Sequence, residues 1–184
     1  MEAIAWKVER KKMIRTERLT IRPFTMQDKD FLFELNNDKE VNRFRSSDTA
    51  SMEYCIDSIN DWNEKYGDGL LNVYLFEITE STEPIGLIGI FKRDSDSKAE
   101  LGYRMMPKFW KRGYCAEAAK VLIENYFSHT NEDEIFAETH PENRNSIVFL
   151  KQNRFIEEVH DMQDRGSLFF TSRELWRASE KIGG

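Results

Sequence analysis

Near Leu70 the spacing of apolar residues changes from threes and fours to twos, and this switch requires a fold that joins a helical segment to a run of paired strands. Ahead of it, Met52, Cys55, Ile56, Ile59 and Trp62 predict a helix over Ser51 to Tyr66, closed by Gly67-Asp68-Gly69. An earlier helix, capped from Thr25, carries Phe31, Leu32 and Leu35, and Leu19, Ile21 and Pro23 mark a short strand before it. Beyond the switch, Leu71 to Thr79, Ile85 to Phe91 and Ala99 to Met105 read as three strands joined by short turns, an antiparallel meander.

In the third strand Ala99, Leu101, Tyr103 and Met105 share one face, and Glu100, Gly102 and Arg104 share the other. A helix follows over Tyr114 to Phe127, with Cys115, Ala118, Ala119, Leu122, Ile123 and Tyr126 on its buried stripe. Then come a strand at Ile135 to Thr139, a helix begun by Ser146, a strand from Phe155 and a last strand at Ser167 to Thr171. The order predicts an α+β (mixed α/β) fold, one largely antiparallel twisted sheet with flanking helices and a single strand-helix-strand unit. At 184 residues, 40% of them hydrophobic, the chain suits one domain, taken as 13–184 behind a charged arm at 1–12. No apolar run spans a bilayer and the N-terminus lacks a signal-peptide core, so a cytoplasmic protein with no membrane partner is expected. Two cysteines, Cys55 and Cys115, are too few for a disulfide scaffold.

The formal charge of -6 argues against nucleic acid as a partner, but it is unevenly spread. Between Lys92 and Arg112 stand seven basic residues against three acids. That window ends in Lys111-Arg112-Gly113 just ahead of a helix. The first amides of a helix lack internal acceptors and carry the positive end of the dipole, so an anion is favoured there. Gly113 admits a close approach of backbone to phosphate, and Lys111 and Arg112 add charge and paired donors. The outline is a pyrophosphate cradle, without the spacing of a Walker loop or of GxGxxG. His129, His140 and His160 have no ligand spacing, so no metal is expected. A thiol hydrolase built on Cys115 and His140 is a rival reading, opposed by the place of Cys115 on an apolar stripe.

The order TERLTIRPF, the meander, ELGYRMMPKFWKRGYCAEA and PENRNSIVFLKQNRF resembles the GNAT superfamily of N-acetyltransferases, more narrowly its Rim-type branch, from about Thr16 to Trp176. The resemblance implies acetyl-CoA as cosubstrate and a primary amine, a protein N-terminus or a small molecule, as acceptor, in a monomer or homodimer. Its acyl-CoA loop falls on Trp110, Lys111, Arg112, Gly113, Tyr114 and Cys115, with Ala116 in the helix start. The backbone of Arg104 and Met105 would hold the pantetheine and acetyl carbonyl, with Asn143 and Ser146 along the pantetheine arm. Glu100 either takes the proton of the amine or pairs with Lys92, Arg93 or Arg104 across the sheet. Ser146 serves the sulfur or oxyanion, or caps its helix. Leu150 stands where many members carry a tyrosine acid, and Arg154 where they carry a glycine, leaving Asn153 to supply the left-handed turn. A non-catalytic acyl-CoA-binding module is the alternative.

Overall fold

A computed structural model describes residues 13–45, 49–65, 72–93, 97–158 and 166–178. The predicted arm at 1–12, the Gly67-Asp68-Gly69 helix stop and His160 lie outside them. The described strands are β1 (Ile14–Arg15), β2 (Leu19–Pro23), β3 (Asn72–Ile78), β4 (Pro84–Lys92), β5 (Ala99–Met105), β6 (Glu134–Thr139), β7 (Ile156–Glu158) and β8 (Ser167–Ser172). They form one sheet in the order β1-β2-β3-β4-β5-β6-β8-β7. Every neighbouring pair is antiparallel except β5 and β6, joined by the predicted strand-helix-strand crossover.

The helices are α1 (Lys29–Asn37), α2 (Met52–Lys65), α3 (Tyr114–His129), α4 (Arg144–Gln152) and α5 (Arg173–Arg177). A 3₁₀ turn at Met26–Asp28 leads into α1, and the Asp28 carboxylate accepts from the Thr25 amide at 2.7 Å, as the Thr25 capping signal requires. α1 buries Leu32 and Leu35, and α2 buries Cys55 and Ile59. Consecutive residues of β5 show on which face each helix lies, because strand side chains alternate. Arg104 hydrogen-bonds Asn36 on α1, whereas Tyr103 meets Ser146 and Phe149 on α4. The sheet is thus covered on both sides, and Leu75, Phe76 and Ile88 in β3 and β4 are fully buried. Each such side chain contributes on the order of 1.5–3 kcal/mol by leaving water.

Two local expectations change. α4 begins at Arg144 and Asn143 caps it, its side chain accepting from the Ser146 amide at 3.2 Å, so Ser146 is the capped residue and not the cap. The left-handed residue after α4 is Arg154, with φ 68°, and Asn153 keeps φ -101°. Arg154 tolerates that backbone because its guanidinium donates to the Trp176 carbonyl at 2.8 Å and lies over the Trp176 ring.

Candidate active site

The basic loop folds as an exposed cap on α3. Gly113 has φ 79°, a left-handed backbone natural to glycine, and Lys111 shares that region at φ 60°. The first helical hydrogen bond runs from the Glu117 amide to the Gly113 carbonyl at 3.0 Å. The amides of Tyr114, Cys115 and Ala116 therefore lie ahead of the helical ladder. Trp110 staples the loop to the end of β5, its indole N–H donating to the Met105 carbonyl at 2.6 Å. Among the described residues nothing caps α3 through a side chain.

One cation here is invisible in the local sequence. Arg18, at the end of the turn into β2, donates through Nε to Glu117 at 2.7 Å and through Nη1 to the Arg112 carbonyl at 2.9 Å. Its guanidinium also lies 4.6 Å from the Tyr114 ring centroid, and its Nη2 would sit 3.3 Å from any Cβ added at Gly113. Burial alone would push the Glu117 carboxyl up, but hydrogen bonds from Thr16 and from the Arg18 backbone and side chain outweigh it and hold the group below the usual carboxylate range. An acid in the first turn of α3 would repel a bound anion, and Arg18 cancels that charge. The result is a backbone cradle whose acid is neutralised by Arg18 and whose remaining cations are Lys111 and Arg112, which fits a diphosphate.

Beside this cap the sheet opens. β5 pairs with β4 along its whole length, from Ala99 opposite Lys92 to Met105 opposite Gly86. Against β6 it keeps only one register pair, Glu100 opposite Phe136. Leu101 to Met105 thus run away from β6, and Glu100 marks the vertex of the gap. Lys92 pairs with Glu132, and Arg104 donates to Asn36. The Arg104 carbonyl lies against Gly86 of β4, where a methyl would sit 2.2 Å from it. The Arg104 carbonyl therefore faces β4, and the Met105 carbonyl accepts from Trp110.

Tyr103 was not singled out by its sequence. It points from the opened half of β5 to α4, its hydroxyl 2.7 Å from Ser146 Oγ, and its ring lies 4.5 Å from that of Phe149. Burial raises the Tyr103 pKa above that of an ordinary phenol, the nearby Cys115 adds to the rise, and the Ser146 bond opposes it. The pair is therefore a neutral two-hydroxyl relay. Asn143, at the mouth of the same face, uses its Oδ1 on the Ser146 amide and keeps its Nδ2 as a donor. Cys115 is 8% exposed and burial pushes its thiol up, the opposite of what a nucleophile needs. His140 stacks on Phe44 with ring centroids 5.3 Å apart. Among the described residues no group of three or more His, Cys, Asp or Glu is placed to hold a metal ion, and no helix is long and apolar enough to cross a membrane.

The model of the acetyltransferase (GNAT) domain matches residues 18–156, which include the cradle, the gap and α4. The chain belongs to the GNAT acetyltransferase family. An uncharacterized N-acetyltransferase of Bacillus licheniformis, p20, is 32% identical over 148 residues, covering 78% of this chain and 82% of that protein. Among solved structures, spermidine N-acetyltransferase from Vibrio cholerae, in complex with CoA and spermine, superposes with a TM-score of 0.71 at 17% identity, covering 88% of this chain and 99% of that one. RimL, a ribosomal L7/L12 α-N-protein acetyltransferase in complex with coenzyme A, gives 0.73 at 15% identity, covering 88% and 98%. At such identities the likeness is one of fold. This GNAT chain is an acetyl-CoA-dependent acyltransferase with a single α+β domain, and acetyl transfer to an amine is the family's general reaction.

Proposed function

We propose that the chain carries an acetyl group from acetyl-CoA to a primary amine by direct transfer, in a domain spanning 13–184 that follows the Rim-type motif order. The observation that carries this reading is the left-handed Gly113 cap, with three unspent amides, set beside a strand that parts from its neighbour at Glu100. Bound acetyl-CoA supplies an acetyl thioester, a carbon electrophile open to a neutral amine. Lys111 to Ala116, with Arg18, seat the diphosphate, and Asn143 Nδ2 donates along the arm that enters the gap. Glu100, at the vertex, takes the proton that the amine must lose, directly or through water, which is worth roughly 10² to 10⁴ in rate. The Ser146 hydroxyl, held by Tyr103, donates to the sulfur or to the oxygen on which charge develops. A thiol of reference pKa about 8.5 leaves with little further help, so Leu150 in place of a tyrosine is no obstacle.

Calorimetry tests the seat. Acetyl-CoA should bind the wild-type chain, and Gly113→Glu should weaken that binding by about 100-fold or more, because a carboxylate in the cradle blocks the amides and repels phosphate. The same preparations, offered acetyl-CoA with a panel of amines and N-terminal peptides, should release CoA from wild type only. No heat at millimolar acetyl-CoA would remove the seat, and no CoA release across the panel would remove the amine transfer.

A further inference from the structure

Among the described residues Arg104 has no carboxylate partner. It projects from the opened half of β5 onto the α1 face and is half-buried, yet its one hydrogen-bond partner among the described residues is the neutral Oδ1 of Asn36. Asn36 is itself 8% exposed and oriented by Cys55, its Nδ2 donating to Sγ at 3.4 Å. A guanidinium in such a place ordinarily has a carboxylate beside it, because removing charge from water without compensation is costly. Here a neighbouring charge, Arg45, repels. Burial, with Arg45 acting through space, brings Arg104 down to about 10 against smaller opposing effects of Tyr54 and Cys55.

The loop that brings Arg45 there is firmly set. Asn42 donates through Nδ2 to the carbonyls of Leu35, Asn36 and Asp38, at 3.1, 2.9 and 2.8 Å, and Arg45 donates its amide to the Asn42 carbonyl at 2.9 Å. Two residues back, Arg43 and Phe44 form one wall of a cavity of about 540 Å³, whose other wall is Pro141 to Asn145, including Asn143 and Arg144. Arg43 lies over the Phe44 ring, and Phe44 stacks on His140. The cavity thus borders Asn143 of the proposed acyl arm and is flanked by two arginines against one exposed acid, Glu142. Its size suits a small molecule.

We propose that the acceptor is a small amine that also bears a carboxylate, and that Arg104, assisted by Arg45 and Arg43, binds that carboxylate while the amine faces the thioester. This rests on the acetyl-transfer reading above and narrows it. The guanidinium fork matches a carboxylate in two parallel hydrogen bonds, and the ligand would supply the charge that the fold withholds. A polyamine would bring like charge to the same place.

The test is steady-state acetylation by the full chain of four amine sets: amino carboxylic acids, their primary carboxamides, aminoalkyl phosphates and polyamines, with a peptide of neutral side chains as a fifth. The acids should exceed their carboxamides in kcat/KM by about tenfold or more, since a site built for the anion leaves buried donors unpaired with the analogue. Arg104→Gln should erase that preference through acceptor KM, and Arg45→Glu, an exposed change that spares the core, should reduce it about tenfold without altering acetyl-CoA binding in calorimetry. Better use of the phosphates than of the acids, preference for polyamines or the peptide, equal use of acids and carboxamides, or an unchanged preference in both variants would overturn the proposal. So would failure of every acid in protein that still binds acetyl-CoA. Loss of acetyl-CoA binding in wild type would instead overturn the transfer reading and this proposal with it.

Discussion

Two guanidiniums of the same sheet, three strands apart, are treated in opposite ways. Arg22, on β2, is gripped by Asp28 at 2.8 Å and by Glu77 at 2.9 Å, and Asp28 is further held by the Thr25 amide and hydroxyl. Hydrogen bonding to Asp28 raises the Arg22 pKa, against burial and with help from Glu77. Arg104, on β5, has Asn36 and the repulsion of Arg45, and burial lowers it. Both are arginines on strands, and only the company differs. Where the chain provides the acids, the cation ties β2 and β3 to the entry of α1. Where the described residues offer only an amide, the cation matches the carboxylate-binding role proposed above. The first kind of site should therefore report in stability and the second in turnover.

The largest expected effect lies on the turnover side. Glu100→Gln, at the vertex of the gap, should slow acetyl transfer by about 10² to 10⁴ at neutral pH while acetyl-CoA affinity stays in place. Single-turnover assays with saturating amine would read it directly, and an unchanged rate would move Glu100 to the structural class represented by Arg22.

Next comes the ion pair. Asp28→Asn should cost about 3 kcal/mol by leaving Arg22 undercompensated, which for a chain of this size lowers Tm by about 6–12 °C. Turnover per folded molecule should not change. The same pair has a pH signature of definite sign. Burial would raise the Asp28 carboxyl, but hydrogen bonds from Arg22 and Thr25 outweigh it and hold it below its usual value. Its stabilisation is therefore present above an unfolded pKa of about 3.9 and is lost as pH falls below that value toward the folded one. Thermal melts between neutral and acid pH should show the wild type losing this margin and Asp28→Asn lacking it. Parallel curves would break the contrast with Arg104.

The smallest effect tests the cradle backbone. Lys111→Gly relieves a left-handed non-glycine residue and should stabilise the fold by about 1 kcal/mol while weakening acetyl-CoA binding a little through the lost charge. Differential scanning calorimetry with and without ligand separates the two changes. A variant less stable than wild type would show that the Lys111 side chain holds the loop in some other way.

Much of this architecture was legible because periodicity is local. The twofold alternation of Ala99 to Met105 correctly assigned Tyr103 and Arg104 to opposite faces, and the stripe from Cys115 to Tyr126 placed α3 within two residues. Gly113 ahead of a helix was legible for the same reason, as a backbone need written in one residue. The rest depends on partners far along the chain. No pattern around Arg18 tells that it will meet Glu117, and none around Tyr103 that its hydroxyl will meet Ser146, 43 residues on. The left-handed turn was expected at Asn153 on intrinsic preference, and Arg154 took it because contacts with Trp176 stabilise the strained backbone. The cap of α4 fell to Asn143 by a similar margin, since two good capping residues lay three positions apart.

The bond from Arg18 to Glu117 joins segments 99 residues apart. Contacts of that separation close late, after the ribosome has delivered both partners and the intervening loop has been gathered. A nascent or truncated chain could hold its central meander and still have no seat for the nucleotide, because the first strand must dock before the turn at Gly113 has its full charge. Competence to bind is in this sense a report on a joint between distant segments: the cosubstrate inspects whether they have met.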